Sequence, residues 1–234
     1  MDPARRLDLI DDALCPPEPQ LLDTCVLQNL DWVDRTIRAV GGGWTEERER
    51  ELQRQFGVDL ANDLLDLGTL YKHFEDAGGY PWLVCNAAVG EANVLKSAKG
   101  DGVRQLIQFL IGHQEDWISD AYPGIAQGLL LASRRARVSP LILRGLGVSS
   151  PEEVVDPSGP LAFLPDRGDR LVASHALLAN IPVILTTDRR TFWAHRERLR
   201  AFGVQVLRPS ELLDRYVPFW NALSVEYERR RHLR

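Results

Sequence analysis

Four acidic residues occupy positions where globular proteins rarely place a carboxylate. Asp23 and Asp188 each end a short apolar run. Glu91 interrupts an apolar helical stripe, and Asp169 opens a predicted helix. Burial of a carboxylate is costly unless the group is paired or coordinates a metal ion. The four acids are therefore candidate metal ligands.

These acids need secondary-structure elements that bring them together. Short apolar runs predict strands at 21–24, 80–85, 183–186 and 204–207. Helical patterns separate the runs, so the sequence predicts an α/β fold with α/β/α layers around a central parallel sheet. Ligands bind at the carboxyl ends of such strands. If their strands are neighbours, Asp23 and Asp188 lie at the same edge of the sheet.

Glu91 lies on a helix predicted over 87–98. Its helical face is otherwise apolar and carries Ala88, Leu95 and Ala98. A carboxylate on a face built for burial needs a partner, which is a separate reason to place Glu91 in a site.

Asp169 lies in the first turn of a helix predicted over 169–179. A carboxylate at this position can face the end of a strand, but it can equally serve only as a helix-capping acid. Taken alone, Asp169 is therefore a weaker candidate than the other three acids.

The segments around these acids resemble the PIN-domain nucleases, a family that includes many toxin ribonucleases of bacterial toxin–antitoxin pairs. The similar segments read LLDTCVL at 21–27, NAAVGEA at 86–92, DRLVASHAL at 169–177 and VILTTD at 183–188. Asp169 and Asp188 are 19 residues apart, as in the family's arrangement of aspartate, helix, strand and "T-x-D". This spacing favours Asp169 over Asp166 as the third acid.

The resemblance implies a PIN-like three-layer fold in which Asp23, Glu91, Asp169 and Asp188 are catalytic and jointly bind Mg2+ or Mn2+. Oxygen ligands suit these hard cations. A bound ion can activate water and stabilise charge on an attacked phosphate. The implied activity is that of a metal-dependent endoribonuclease. A structure-specific DNA nuclease and a non-catalytic scaffold that binds nucleic acid or protein are the alternatives.

Two threonines next to the acids are expected to support the site. Thr24 and Thr186 are placed to orient the carboxylates by hydrogen bonding, although either hydroxyl can equally be an ordinary one at the end of a strand.

Long insertions separate the similar segments. We expect one elaborated domain, with core motifs at about 20–40, 82–98 and 166–216 and helical insertions at about 44–78 and 101–165. The insertions can shape access to the substrate or bind a partner. The resemblance implies RNA as the substrate, and it leaves open a homodimer and an antitoxin or another protein as partner.

The composition predicts a cytoplasmic protein without a membrane partner. No stretch approaches the ~20 apolar residues that cross a bilayer, and the first residues lack an apolar signal core. The cysteines, Cys15, Cys25 and Cys85, lack a C-x-x-C pair, so we expect reduced core residues. The net charge of −5 opposes general attraction to a polyanion. Residues 189–234 carry 11 Arg and 5 acids, a cluster that could contact phosphates or could simply be a solvated end of the chain.

Other enzyme classes lack their usual residues. A phosphatase of the haloacid dehalogenase type needs an acid two positions after Asp23, where this chain has Cys25. No P-loop, zincin or nucleophile-elbow motif is present, and the five histidines show no ligand spacing.

Overall fold

The computed structural model describes residues 18–39, 45–77, 79–96, 98–114, 124–131 and 137–232. Its strands are β1 (Gln20–Leu22), β2 (Trp82–Leu83), β3 (Val183–Leu185) and β4 (Gln205–Leu207). They form one parallel sheet in the order β2-β1-β3-β4. The predicted parallel sheet is therefore confirmed.

The neighbouring positions of β1 and β3 decide the geometry of the site. Leu21 pairs with Ile184 on one side and with Leu83 of β2 on the other. The β1, β2 and β3 residues are buried, as expected for a parallel sheet that is covered on both faces. This arrangement is compatible with α/β/α layering.

Helices make up most of the remaining described chain. They are α1 (Thr24–Ala39), α2 (Glu46–Phe56), α3 (Val58–Ala77), α4 (Asn86–Val94), α5 (Ala98–His113), α6 (Gln127–Leu130), α7 (Pro140–Gly145), α8 (Pro151–Val155), α9 (Arg167–Leu178), α10 (Arg196–Arg200) and α11 (Pro209–His232). Helix α3 packs against α1, α2 and α11, whereas α9 packs against α4, α8 and β3. None of the described helices combines the length and the apolar character needed to span a bilayer.

The predicted end of the helix that carries Glu91 is wrong. The helix expected over 87–98 ends at Val94, because Leu95 adopts an extended backbone conformation, and Ala98 already belongs to α5. Between β3 and the short helix α10 the chain forms turns, which hydrogen bonds from residues 190 and 191 to the Asp188 side chain help to hold.

The expected insertions differ in how far they can be compared with the structure. The first contains α2 and α3, as predicted. Part of the second, at 115–123 and 132–136, lies outside the described residues. Its proline-containing end includes the short helix α8, which begins with Pro151 at its first position.

Candidate metal centre

Asp23 and Asp188 follow the adjacent strands β1 and β3 at the same edge of the sheet. The Asp23 amide continues the strand pairing by donating to the Leu185 carbonyl at 3.1 Å. The Asp23 carbonyl then accepts the amides of Val26 and Leu27 in the first turn of α1. Asp23 therefore joins the end of a strand to the start of a helix, where the helix dipole favours a negative charge.

One buried hydroxyl group connects the two strand ends. Thr186 donates to Asp23 Oδ2 at 2.8 Å and accepts the backbone N–H of Asp188 at 2.9 Å. Its side chain is fully buried. The predicted supporting role of Thr186 thus has a definite geometry, because its hydroxyl fixes the Asp23 carboxylate relative to the Asp188 backbone.

A second hydroxyl group lies between Asp188 and Asp169, which is in the first turn of α9. Thr191 donates to Asp188 Oδ2, and its hydroxyl is near enough to the Asp169 carboxyl group to lower the pKa of that group. Burial, followed by the charges of Asp23 and other nearby carboxylates, raises the pKa of Asp169 to about 7. Asp169 therefore lies among acids that disfavour its ionised form.

The pKa of Asp23 is likewise subject to opposing influences. Burial is the main cause that raises its pKa, and the charge of Asp188 adds to the rise. Hydrogen bonds from Cys25, Thr186 and the Thr24 backbone act in the opposite direction and lower this pKa. The surrounding hydrogen bonds thus favour a carboxylate that burial and the neighbouring acid disfavour.

Asp166 caps α9, which leaves Asp169 available for the site. Asp166 Oδ1 accepts the Gly168 amide at 2.6 Å. The capping role considered for Asp169 thus belongs to the exposed acid three residues earlier.

Glu91 reaches the same helix start from α4. Its carboxylate occupies the space where a side chain at position 168 would begin, so a Cβ on Gly168 would clash with Glu91 Oε1. Burial raises the pKa of the Cys85 thiol to about 11, and the charges of Glu91 and Asp23 contribute to the rise. Glu91 therefore lies on the Asp23 side of the fold, half-buried rather than fully buried.

Sequence reasoning missed the role of Cys25. We expected a core cysteine, but the half-buried Cys25 thiol donates to Asp23 Oδ2 at 2.8 Å. Thr187 donates to the Cys25 sulfur at 3.2 Å, and Asn29 donates to the Thr187 hydroxyl at 2.8 Å. Cys85 is buried, and both of these cysteines are free. Cys15 lies outside the described residues.

Thr24 requires a correction. Its hydroxyl oxygen is buried and has no hydrogen-bond partner within the described ranges. Because Thr24 begins α1, its backbone amide reaches the Asp23 carboxyl group instead. Thr24 thus supports Asp23 through its main chain and not through its hydroxyl.

The donor type of the four acids fits a hard cation, whereas their present spacing does not form a complete site. Among the described residues, no group of three or more His, Cys, Asp or Glu side chains is arranged to hold a metal ion. In the same part of the chain, no Lys, Arg or His forms an ion pair with Asp23, Glu91, Asp169 or Asp188. Binding an ion would require these carboxylates to move closer together.

No protein-family model, curated protein or solved structure matches this chain. The family resemblance therefore depends on the short segments around the acids.

The central role of Thr186 leads to a stability prediction. Thr186→Val should lower the free energy of unfolding by about 1–3 kcal/mol, because the buried Asp23 carboxylate and the Asp188 amide each lose a partner. Thr24→Val is the matched control, since it removes a buried hydroxyl that has no partner among the described residues. The control should be near neutral. Urea unfolding of both variants measures the difference, and equal losses would contradict the role assigned to Thr186.

Proposed function

We propose that this chain is a metal-dependent endoribonuclease of the PIN-domain type, which hydrolyses phosphodiester bonds in RNA. One observation carries the proposal. Asp23 and Asp188 follow adjacent strands, and Thr186 joins the Asp23 carboxylate to the Asp188 backbone. The charges of both acids raise the pKa of Asp169, and no cationic side chain pairs with any of the three in the described part of the chain.

A divalent cation would relieve the repulsion between these carboxylates. The residues that would hold it are Asp23, Glu91, Asp169 and Asp188, and an all-oxygen donor set favours Mg2+ or Mn2+. When bound, such an ion lowers the pKa of a water molecule and stabilises negative charge on a phosphate.

The chain's own contribution is to orient the carboxylates. Thr186 sets the position of Asp23 Oδ2 relative to the Asp188 backbone, and Thr191 holds the Asp188 carboxylate by donating to its Oδ2. The Cys25 thiol holds the same Asp23 oxygen as Thr186. Groups that orient metal ligands in this way commonly affect metal affinity or activity by ~10–100-fold.

A cleavage assay tests the proposal. The purified chain is incubated with end-labelled single-stranded RNA, structured RNA, single-stranded DNA and structured DNA, each with Mg2+, Mn2+ or EDTA. We expect internal cuts in single-stranded RNA with either metal and none with EDTA. Cleavage of structured DNA alone would replace the RNA assignment. Complete inactivity on all substrates with both metals would contradict the enzyme and favour a binding scaffold.

RNA is the partner that this proposal requires. A second copy of the chain or an antitoxin-like protein follows only from the family resemblance, and neither is needed for the chemistry proposed.

A further inference from the structure

A cleft of about 500 Å³ opens beside the proposed metal ligand Asp188. One wall is the segment after β3, which includes Arg189 and Arg190. The rest of the lining is the joint between α2 and α3, which includes Phe56 and Val58 together with the acids Asp59 and Asp63. The first helical insertion therefore forms one side of the space next to the acids.

Contacts at three points fix this insertion over the sheet edge. Arg208, directly after β4, donates from Nη2 to the buried Asp63 of α3 at 2.6 Å. Arg189 forms a more exposed ion pair with Asp59. At the other side, the Phe56 ring packs edge-on against Trp32 of α1, with ring centroids 5.6 Å apart.

The walls of the cleft differ in chemistry. Val58 is 59% exposed although it is apolar, and it stands beside the half-buried Phe56. Gly57, between them, has a φ of 79°, a conformation that favours glycine, and a Cβ there would meet no atom within 4 Å. The joint thus presents apolar surface around an open corner.

The segment after β3 lines the cleft with two arginines, Arg189 and Arg190, beside Asp188. The Arg190 amide is held by Asp188 Oδ1 at 2.7 Å, which places this residue directly beside a proposed metal ligand. No carboxylate forms an ion pair with Arg190 within the ranges that the structure describes. Arg189 forms an ion pair with Asp59, but both side chains are exposed and such pairs contribute little to stability.

We propose that this cleft holds one unpaired nucleotide of a single-stranded RNA, with its base against Val58 and Phe56 and its phosphate against Arg189 and Arg190. The inference deepens the proposed function and rests on it. Unpaired bases expose faces that pack on apolar and aromatic side chains, and Arg recognises phosphate in a bidentate manner. A duplex keeps its bases stacked and must first extrude one.

Val58→Asp tests the apolar wall. Aspartate at the first position of α3 is favourable for the helix, so the variant should fold. Val225→Asp is the matched control, because Val225 is 57% exposed and belongs to α11, away from the lining of the cleft. Both variants are made in an Asp23→Asn background so that the probe is not cut. Fluorescence anisotropy then measures binding of a labelled single-stranded oligoribonucleotide.

We expect Val58→Asp to weaken binding by about tenfold, within the range for loss of one stacked base, and Val225→Asp to leave binding unchanged. Equal binding by the two variants would overturn the assignment of the wall. A duplex RNA of the same sequence should bind more weakly than the single strand; equal affinity would likewise count against the inference.

Arg190→Gln tests the wall that carries the two arginines. Loss of one phosphate contact should reduce the slope of log affinity against log salt by about 0.7 for a single strand. Arg144→Gln is the control, because Arg144 is an exposed arginine at the end of α7 and does not line the cleft. The same change in slope for both variants would show non-specific attraction and overturn the site.

These outcomes separate the cleft from the enzyme. If the wild-type chain cuts single-stranded RNA while Val58→Asp binds as tightly as Val225→Asp, the cleft assignment fails and the nuclease proposal stands. If the wild-type chain neither cuts nor binds single-stranded RNA, both fail together.

Discussion

Asp23→Asn is expected to lower RNA cleavage by about 100-fold or more, because a direct metal ligand should matter at least as much as the groups that orient it. The same change should leave the folded chain as stable as before, or more stable. Burial raises the pKa of Asp23, so the fold disfavours its ionised form at neutral pH. Asparagine keeps the size of the side chain and a hydrogen-bond acceptor for Thr186 but removes the charge.

Asp31→Asn is the matched control for this prediction. Asp31 is 5% exposed, against 6% for Asp23, and it lies on α1, the helix that begins directly after Asp23. Asp31 has a cationic partner, Arg35, and it is not among the proposed ligands. Asp31→Asn should therefore retain cleavage within about threefold but lose about 0.5–1.5 kcal/mol of unfolding free energy, because asparagine keeps a hydrogen-bond acceptor for Arg35 but loses the charge that paired with it.

Cleavage rates and urea unfolding of the two variants should thus change in opposite ways. One variant loses activity without losing stability, and the other loses stability without losing activity. If Asp23→Asn retained full metal-dependent cleavage, Asp23 would not be a ligand. If both variants lost activity only in proportion to their lost stability, the effect at Asp23 would be structural.

The strand ends could be predicted because local patterns determine them. Leu21-Leu22 and the run 183–185 are apolar without interruption, and an acid shortly after each run places Asp23 and Asp188 at carboxyl ends. The adjacency of β1 and β3 was only a condition in the sequence argument. It depends on the order of strands, which the structure supplies.

The supporting hydrogen bonds could not be predicted in the same way. Thr24 and Thr186 both flank a strand end, yet only Thr186 reaches Asp23 through its hydroxyl. Cys25 contacts Thr187 across 162 positions of sequence. Such contacts depend on side-chain direction at a helix start, and spacing along the chain does not encode that direction.

The insertion shows a further limit of local patterns. The sequence predicts α2 and α3 as helices, but their placement beside Asp188 depends chiefly on the pair between the buried Asp63 and Arg208. Nothing in either helix identifies this distant partner, because Arg208 is one arginine in a chain that is rich in arginine.

Removal of the carboxylate at position 169 is expected to stabilise the metal-free chain at pH 8 but not at pH 4. The pKa of Asp169 is raised from 3.8 to about 7 in the folded chain. The folded chain therefore binds this proton more tightly than the unfolded chain does. The stabilisation of the fold by this tighter proton binding is fully present below pH 4 and is lost as the pH rises through about 7.

Asp169→Asn removes this dependence on pH. In EDTA, the melting temperature of the variant relative to the wild type should rise between pH 4 and pH 8, by about 2–4 °C for each 1 kcal/mol of relieved repulsion. The comparison is made between variant and wild type because other groups titrate in the same pH window. One of them is Asp66: burial and the charge of the nearby Asp63 raise its pKa to about 6.

Asp166→Asn provides the control at the same helix start. Asparagine is also a good N-cap, so this variant should keep the cap on α9 and show a smaller change with pH. A pH profile for Asp166→Asn equal to that of Asp169→Asn would assign the repulsion to the helix start as a whole and not to Asp169.

In the wild type, a bound metal ion should reverse the loss of folding stability that Asp169 causes as the pH rises. Metal binding requires ionised carboxylates and releases protons, so protons and the ion compete for the same groups. Mn2+ should therefore raise the melting temperature of the wild type more at pH 8 than at pH 5, and it should raise that of Asp169→Asn much less at both. An equal increase for the two proteins at pH 8 would remove Asp169 from the set of ligands, because loss of a true ligand should weaken binding of the ion.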